Sequence, residues 1–269
     1  MIDDVSDIAD FYNCDPQSEE YRLSVHQLEH DLTWRFLDHF LPRQGSVLEV
    51  GAATGQYTLE LARRGYAVTA VDLSEALIGE CRKRTAAAGF AGRVRCVTAD
   101  ARDLTNVSET EFDAVLLMGP LYHLVAESDR KRAIQEASNH MKSSGIIFSA
   151  WISRLGMLCD LLKDKPEWIE DPKEVRSILE NGRRPDDYPR GGFRGYHATV
   201  PEIAPVHEAM GFETIALAAV EPVIAADDEC YTKLQGARRE LWLDLFQTIS
   251  GERSIIGASR HLLYVGRKR

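Results

Sequence analysis

Val47-Leu48-Glu49-Val50-Gly51-Ala52-Ala53-Thr54-Gly55-Gln56-Tyr57 is the stretch on which the fold turns. A short apolar run passes into a helical pattern through two glycines four positions apart. That spacing lets the backbone approach a ligand closely and turns helix-end N–H groups toward it. Asp72 follows Gly51 by 21 residues at the end of the next apolar run, where an acidic side chain can take both ribose hydroxyls of an adenosine-like ligand. A dinucleotide fingerprint would need glycine at positions 53 and 56, where Ala53 and Gln56 stand, and no Gly-Lys-Ser/Thr of a P-loop occurs. The runs 47–50, 67–71, 94–97, 112–117 and 145–150 are short and bare enough to be buried on both faces. Helical patterns lie between them, for example Ala133, Ile134, Ala137 and Met141 behind the expected cap Ser128. Strand alternating with helix predicts an α/β protein with a parallel sheet covered on both faces.

Outward from this core the texture changes. Residues 11–42 open with Asp15-Pro16, a cap followed by proline, and place Tyr21, Val25, Leu28, Leu32, Phe36 and Phe40 at helical spacing until Pro42 stops the pattern. Residues 151–180 read as irregular helix, and 181–200 collect glycine, proline and arginine as a loop. Thr199 with Pro201 and Glu202 is a capping-box signature, so 200–210 is a short helix ended by Gly211. Strand-like runs follow at 214–220 and 262–265. Between them an inserted helix over 227–250 is marked by Cys230, Leu234, Ala237, Leu241 and Leu245.

The chain has 269 residues with 32 Lys+Arg against 42 Asp+Glu, a formal charge of −10 that argues against a phosphate-binding surface and so against a nucleic-acid partner. Apolar residues at 44% and charged ones at 28% are those of a globular protein. Five cysteines, far apart and without a C-x-x-C pair, argue against a disulfide framework or a zinc site and for a reducing compartment, the cytoplasm. Met1-Ile2-Asp3-Asp4 is the reverse of a leader, and no apolar run approaches the ~20 residues of a membrane helix.

The strand-loop pattern resembles class I S-adenosylmethionine-dependent methyltransferases. Their first motif runs acid-x-Gly-x-Gly-x-Gly; Glu49, Gly51 and Gly55 match it, and Ala53 departs at the middle glycine. Val71-Asp72-Leu73-Ser74 is similar to the second motif, Thr98-Ala99-Asp100-Ala101 to the third, and Phe112-Asp113-Ala114-Val115 leading to Gly119-Pro120-Leu121-Tyr122-His123-Leu124 to the fourth. The resemblance implies a Rossmann-like seven-stranded, mostly parallel sheet in the order 3-2-1-4-5-7-6, with the seventh strand antiparallel. It also implies S-adenosyl-L-methionine as cofactor, held by Glu49, Gly51, Ala52, Ala53, Gly55 and Tyr57, by Asp72 on the ribose and by Asp100 on the adenine amino group. Leu73, Ala101 and Met118 would line the adenine slot, with Tyr12 closing over it.

Each residue also has a plainer reading. Asp72 would cap the following helix were Ser74 not there to do so, and Asp100 would be a turn aspartate. The two glycines would serve only strand–helix packing. Methyl transfer needs alignment, plus a base where the nucleophile loses a proton. His123 and Tyr122 are the candidate catalytic residues, with a backbone-bonded structural histidine as the alternative. Residues 10–35 resemble the N-terminal lid helices of small-molecule members of the family, which implies that Phe11-Tyr12 and Glu20-Tyr21-Arg22 close over the cofactor; Glu29 with Thr33 sets polar groups one helical turn apart, and a solvated helix face is the plainer reading. Arg183, Arg184, Arg190 and Arg194 are either substrate-anion ligands or solubilising groups on a mobile loop, and His197 is open in the same way. Trp242 and Phe246 read as core or pocket wall. The expectation is one domain: lid helices in 1–44, a cofactor core in 45–150, a cap insertion in 151–200, and the rest of the sheet in 201–269. As a monomer or homodimer it would methylate an O or N atom of a small molecule or short peptide, without a metal. An RNA or protein acceptor, or a catalytically silent cofactor-binding scaffold, are the alternatives.

Overall fold

The computed structural model describes residues 3–14, 26–189, 194–222 and 229–269. Strands β1 (Ser46–Val50), β2 (Ala67–Asp72), β3 (Val94–Thr98), β4 (Phe112–Leu117), β5 (Met141–Ile152), β6 (Phe212–Ala219) and β7 (His261–Lys268) form one sheet in the order β3-β2-β1-β4-β5-β7-β6. The pairs β3·β2, β2·β1, β1·β4 and β4·β5 are parallel, whereas β7 runs antiparallel to both neighbours. Every parallel strand therefore ends at one edge of the sheet. β7 begins at that same edge, with His261 opposite Ile152.

Side chains alternate across the sheet and divide the core in two. Leu48, Val50, Val115 and Leu117 face a layer that includes Ala133, Ile134 and Ala137 of α6 (Glu127–Asn139) and Ile203 of α9 (Val200–Glu208). Val47, Ala114, Leu116 and Phe148 face the other, with Leu28, Leu32 and Leu37 of α2 (Gln27–Phe40) and Leu61 of α3 (Gln56–Arg63). The remaining helices are α1 (Ser6–Cys14), α4 (Glu75–Ala87), the single turn α5 (Pro120–His123), α7 (Leu158–Asp164), α8 (Pro172–Asn181), α10 (Glu229–Thr232), α11 (Gly236–Ile249) and α12 (Arg253–Ala258). Among the described residues no helix is long and apolar enough to cross a membrane.

The departures from the sequence reading are local. β5 continues through Ile152, because Trp151 and Ile152 still pair with β7, so the cap begins later than residue 151. β3, at the sheet edge, is buried on neither face throughout. Ser128 lies inside the first turn of α6, whose N-cap is Ala126 with no side-chain bond. Thr199 is the N-cap of α9, but its hydroxyl bonds the Glu202 carboxylate and not a backbone N–H. The inserted segment is two helices, and its buried residues are Tyr231, Leu243 and Phe246; Leu241 and Leu245, chosen as the inward stripe, are exposed together with Trp242. In the N-terminal segment, α1 starts earlier than expected, while Asp15-Pro16, Tyr21 and Val25 lie outside the described residues.

Candidate active site

The loop after β1 is shaped by three left-handed residues. Gly51 has φ +85°, and a Cβ there would stand 2.1 Å from the Met118 carbonyl oxygen, so glycine is what lets this loop lie against the end of β4. Ala53 takes φ 47°, a conformation that costs an L-residue about 1–2 kcal/mol. Gly55 also has φ +85°, and its missing Cβ would meet the Cys81 sulfur of α4 at 2.5 Å. Gly55 is not among the residues lining the cavity described below, and packing against α4 by itself requires glycine there.

Asp72 ends β2 beneath this loop. Its Oδ2 accepts from the Ala53 N–H at 2.8 Å and its Oδ1 from the Ser74 N–H at 2.9 Å. A carboxylate has about four acceptor sites, so these two bonds fix its orientation without exhausting it. Ser74, not Asp72, caps α4 by accepting from Leu77 N–H. Asp100 is clasped by Arg102, which donates from its backbone N–H and from Nε and Nη2; Arg102 Nη1 continues to Asp129 and to the Asp3 carbonyl, tying the start of the chain over the β3 end. Glu49 is buried and accepts a 2.5 Å bond from the Thr58 hydroxyl. Burial, opposed by that bond and reinforced by the Asp72 charge, pushes its carboxyl up to about 8.

One cavity runs along the carboxyl edge of the sheet. At the β2–β3 end it is lined by Asp72, Leu73, Asp100 and Ala101; over β1 and β4 by Glu49, Gly51, Ala52, Ala53 and Met118; and its far end reaches Ala150 of β5 with Leu262 and Leu263 of β7. Tyr57 lines it too, stacked on His30 at 5.6 Å. Tyr12 of α1, with Tyr122 and His123 of α5, stands above the β4 end. His123 Nδ1 lies 3.0 Å from the Arg194 carbonyl oxygen, which can only accept, so Nδ1 carries the proton and Nε2 takes the 2.9 Å bond from the Tyr12 hydroxyl. His123 is thus both backbone-anchored and cavity-facing.

The cap arginines are engaged elsewhere. Arg183 pairs with Asp186, Arg184 with Glu174, and Arg194 with Asp3 and Asp7, which weighs against reading them as substrate-anion ligands. Arg190 and the Glu20-Tyr21-Arg22 stretch lie outside the described residues. His197 is buried on the Gly182 carbonyl away from the cavity, and burial holds it down at about 4.

A second polar group was not legible in the sequence. His26 and Glu29 line the far end of the cavity. Behind them Glu221, just past β6, accepts from Arg260 and, at 2.5 Å, from His261 Nδ1; Arg260 also reaches Asp160 at 2.6 Å. Burial works against ionising Glu221, but the neighbouring His261 charge and the bonds from His261 and Arg260 hold its carboxyl well below the usual range. Glu29, Glu221 and His261 bring ligand atoms within 4.8 Å of one another, yet the Arg260 guanidinium already bonds both Glu221 oxygens in place of a metal. The available signal was an acid directly after an apolar run, as at Asp72: Val220-Glu221 repeats Val71-Asp72.

Residues 47–145 match the family model described as a methyltransferase domain. The tRNA 5-carboxymethoxyuridine methyltransferase of Escherichia coli is 24% identical over 198 residues, covering 68% of this chain and 72% of that protein. A ubiquinone biosynthesis O-methyltransferase of Rhizobium leguminosarum is 33% identical over 108 residues, 40% of each chain. Among solved structures, Burkholderia thailandensis 1,6-didemethyltoxoflavin-N1-methyltransferase, with S-adenosylhomocysteine bound, superposes with a TM-score of 0.63 at 17% identity over 98% of this chain and 88% of that one. Magnesium protoporphyrin IX methyltransferase from Synechocystis superposes with a TM-score of 0.60 at 14% identity, over 99% of this chain and 100% of that one. The solved structures show the class I methyltransferase fold, residues 47–145 carry a methyltransferase domain, and with these relatives the chain is an S-adenosylmethionine-dependent methyltransferase. Its cofactor is S-adenosylmethionine.

Proposed function

We propose that the protein transfers a methyl group to an O or N atom of a small molecule enclosed beneath α1. The observation that carries this reading is the roofed cavity, with Asp72 and the 51–53 loop at one end and the Tyr12–His123 pair over the β4 end. The Asp72 carboxylate, oriented by two backbone N–H groups, suits the ribose hydroxyls. Leu73, Ala101 and Met118 suit the adenine faces, and Asp100 the adenine amino group while Arg102 holds it in place.

S-adenosylmethionine supplies the methyl group on a sulfonium whose thioether departs without acid catalysis. The protein's own part is alignment and proton removal. With the cofactor bound as methyl donor, the proton that the acceptor atom must lose would pass to the Tyr12 oxygen. The Tyr12 proton passes to His123 Nε2, and the resulting imidazolium is stabilised through its Nδ1–H bond to the Arg194 carbonyl.

The E. coli relative keeps an RNA acceptor in view as a second reading. The charge of −10 and the absence of Lys or Arg among the described cavity-lining residues favour a small acceptor over it. Isothermal titration with S-adenosylmethionine and S-adenosylhomocysteine tests the cofactor assignment. Asp72→Ala is expected to lose about 2–3 kcal/mol of binding, a charge-assisted bidentate contact. An unchanged dissociation constant removes Asp72 from the site.

A further inference from the structure

We infer that the far end of the cavity selects an acceptor carrying a cationic nitrogen, bound by Glu29 at a distance from the atom that is methylated. The inference rests on the proposed function for the position of the cofactor, but its evidence is independent of it.

Glu29 projects from α2 into the cavity, and its side chain is 20% exposed. Among the described residues its carboxylate makes no hydrogen bond, and its one ionic contact is His261 Nδ1 at 3.5 Å, a nitrogen whose proton is already given to Glu221 at 2.5 Å. A mostly enclosed carboxylate without donors is costly, and a ligand that brings N–H groups relieves that cost. The surroundings set the sign of the ligand. Glu221 and Asp160 lie behind Glu29, so three carboxyls face the Arg260 guanidinium and the His261 charge, and the acids remain in excess.

His26, the other polar group on this wall, takes a 2.7 Å bond from Arg260 Nη2 on its Nδ1. The same nitrogen lies 3.4 Å from Glu221 Oε1, so His26 is engaged from behind by the Arg260–Glu221 pair. His30 Nε2 accepts from the Trp34 indole at 3.0 Å. The Thr33 hydroxyl, one turn along from Glu29, also lines the cavity and offers a further acceptor. The acids that line the cavity are Glu29, Glu49, Asp72 and Asp100, and the last three stand at the cofactor end, which leaves Glu29 for the acceptor. The remaining wall of Val220, Leu262 and Leu263 is apolar and suits a hydrocarbon or aromatic body between the cation and the methylated atom.

The test compares benzylamine, benzyl alcohol and phenylacetate as matched probes, titrated by ligand-observed NMR against the full chain with and without S-adenosylhomocysteine. Benzylamine is expected to bind about tenfold or more tightly than the other two. Glu29→Gln is expected to remove that preference while its thermal midpoint and its affinity for S-adenosylhomocysteine stay at wild-type values. Phenylacetate binding as well as benzylamine, no measurable benzylamine binding, or a preference that survives Glu29→Gln overturns the inference. Should Glu29→Gln fold poorly, Glu29→Asp, which keeps the charge, must retain the preference. Failure of S-adenosylhomocysteine itself to bind counts against the proposed function alone, since the probe comparison without it still decides the present point.

Discussion

The two ends of the cavity are built by different means. At the β1–β3 end the geometry is made by backbone: three left-handed residues, two peptide N–H groups on Asp72, and a serine cap on the next helix. At the β5–β7 end it is made by charged side chains that meet across long stretches of chain, His26 and Glu29 from α2, Asp160 from α7, and Glu221, Arg260 and His261 around the start of β7. A backbone-built site tolerates side-chain change where it only uses N–H groups, whereas the buried Glu221–Arg260 pair at the other end fails when either member is lost, with Glu29 on the cavity wall outside it.

The largest test of that contrast is Arg260→Leu. It leaves Glu221 buried and without its cation, and is expected to destabilise the protein by about 3–5 kcal/mol, read by urea unfolding. A loss under 1 kcal/mol would mean that the far end is not the interdependent network described. Next comes Tyr12→Phe, which removes the hydroxyl between acceptor and His123. A fall in kcat of about 10²-fold or more is expected where the acceptor must lose a proton, with S-adenosylhomocysteine affinity retained. A normal kcat with such an acceptor would take Tyr12 out of the proton path.

Glu49 gives a smaller effect with a defined sign. Its folded-state value is raised from 4.5 to about 8, so between those limits the native state holds a proton that the unfolded state has lost. Its contribution to stability is complete below the unfolded value and is lost as pH rises toward the folded one. Glu49→Gln, which mimics the protonated form, should therefore flatten the decline in stability between about pH 5 and 8.5; parallel profiles would show that Glu49 does not titrate there. The smallest effect belongs to Ala53→Gly. Relief of the left-handed strain, less the added freedom of the unfolded chain, should stabilise by about 0.5–1 kcal/mol, seen as a rise of a few degrees in thermal midpoint. A fall would show that the Ala53 methyl packs favourably enough to offset its backbone.

The same contrast explains what could be read from sequence. The strands are legible because each is a local pattern, an apolar run closed by a glycine or an acid at fixed spacing, whereas their order and the antiparallel β7 come only through the resemblance to the methyltransferase family, since pairing between strands leaves no local trace. Ala53 was visible as a departure from the motif, but its φ of 47° was not, because a single sequence shows the residue and not the dihedral. The packing of Gly55 against Cys81, 26 positions later, leaves no local trace either. The inserted helix was turned to the wrong face for a related reason: Leu241 and Leu245 fit a helical stripe as well as Leu243 and Phe246 do, and only the placement of α11 against α2 decides. Glu29 and Glu221 left single traces in the sequence, but the His26–Glu29–Glu221–Arg260 group as a group was out of reach, since its members are separated by up to 234 residues and become neighbours only when β7 is in place.

That dependence on β7 bears on how the protein is made. The strand is synthesised after all the others, yet it lies inside the sheet, pairing along its length with β5 on one side and β6 on the other. Until it leaves the ribosome both neighbours have bare edges, a state prone to mispairing. Arg260 and His261 arrive with it, so a nascent chain acquires its closed sheet and its far binding wall in one event. Truncated or stalled products would accordingly be idle and exposed to proteolysis, not partly active.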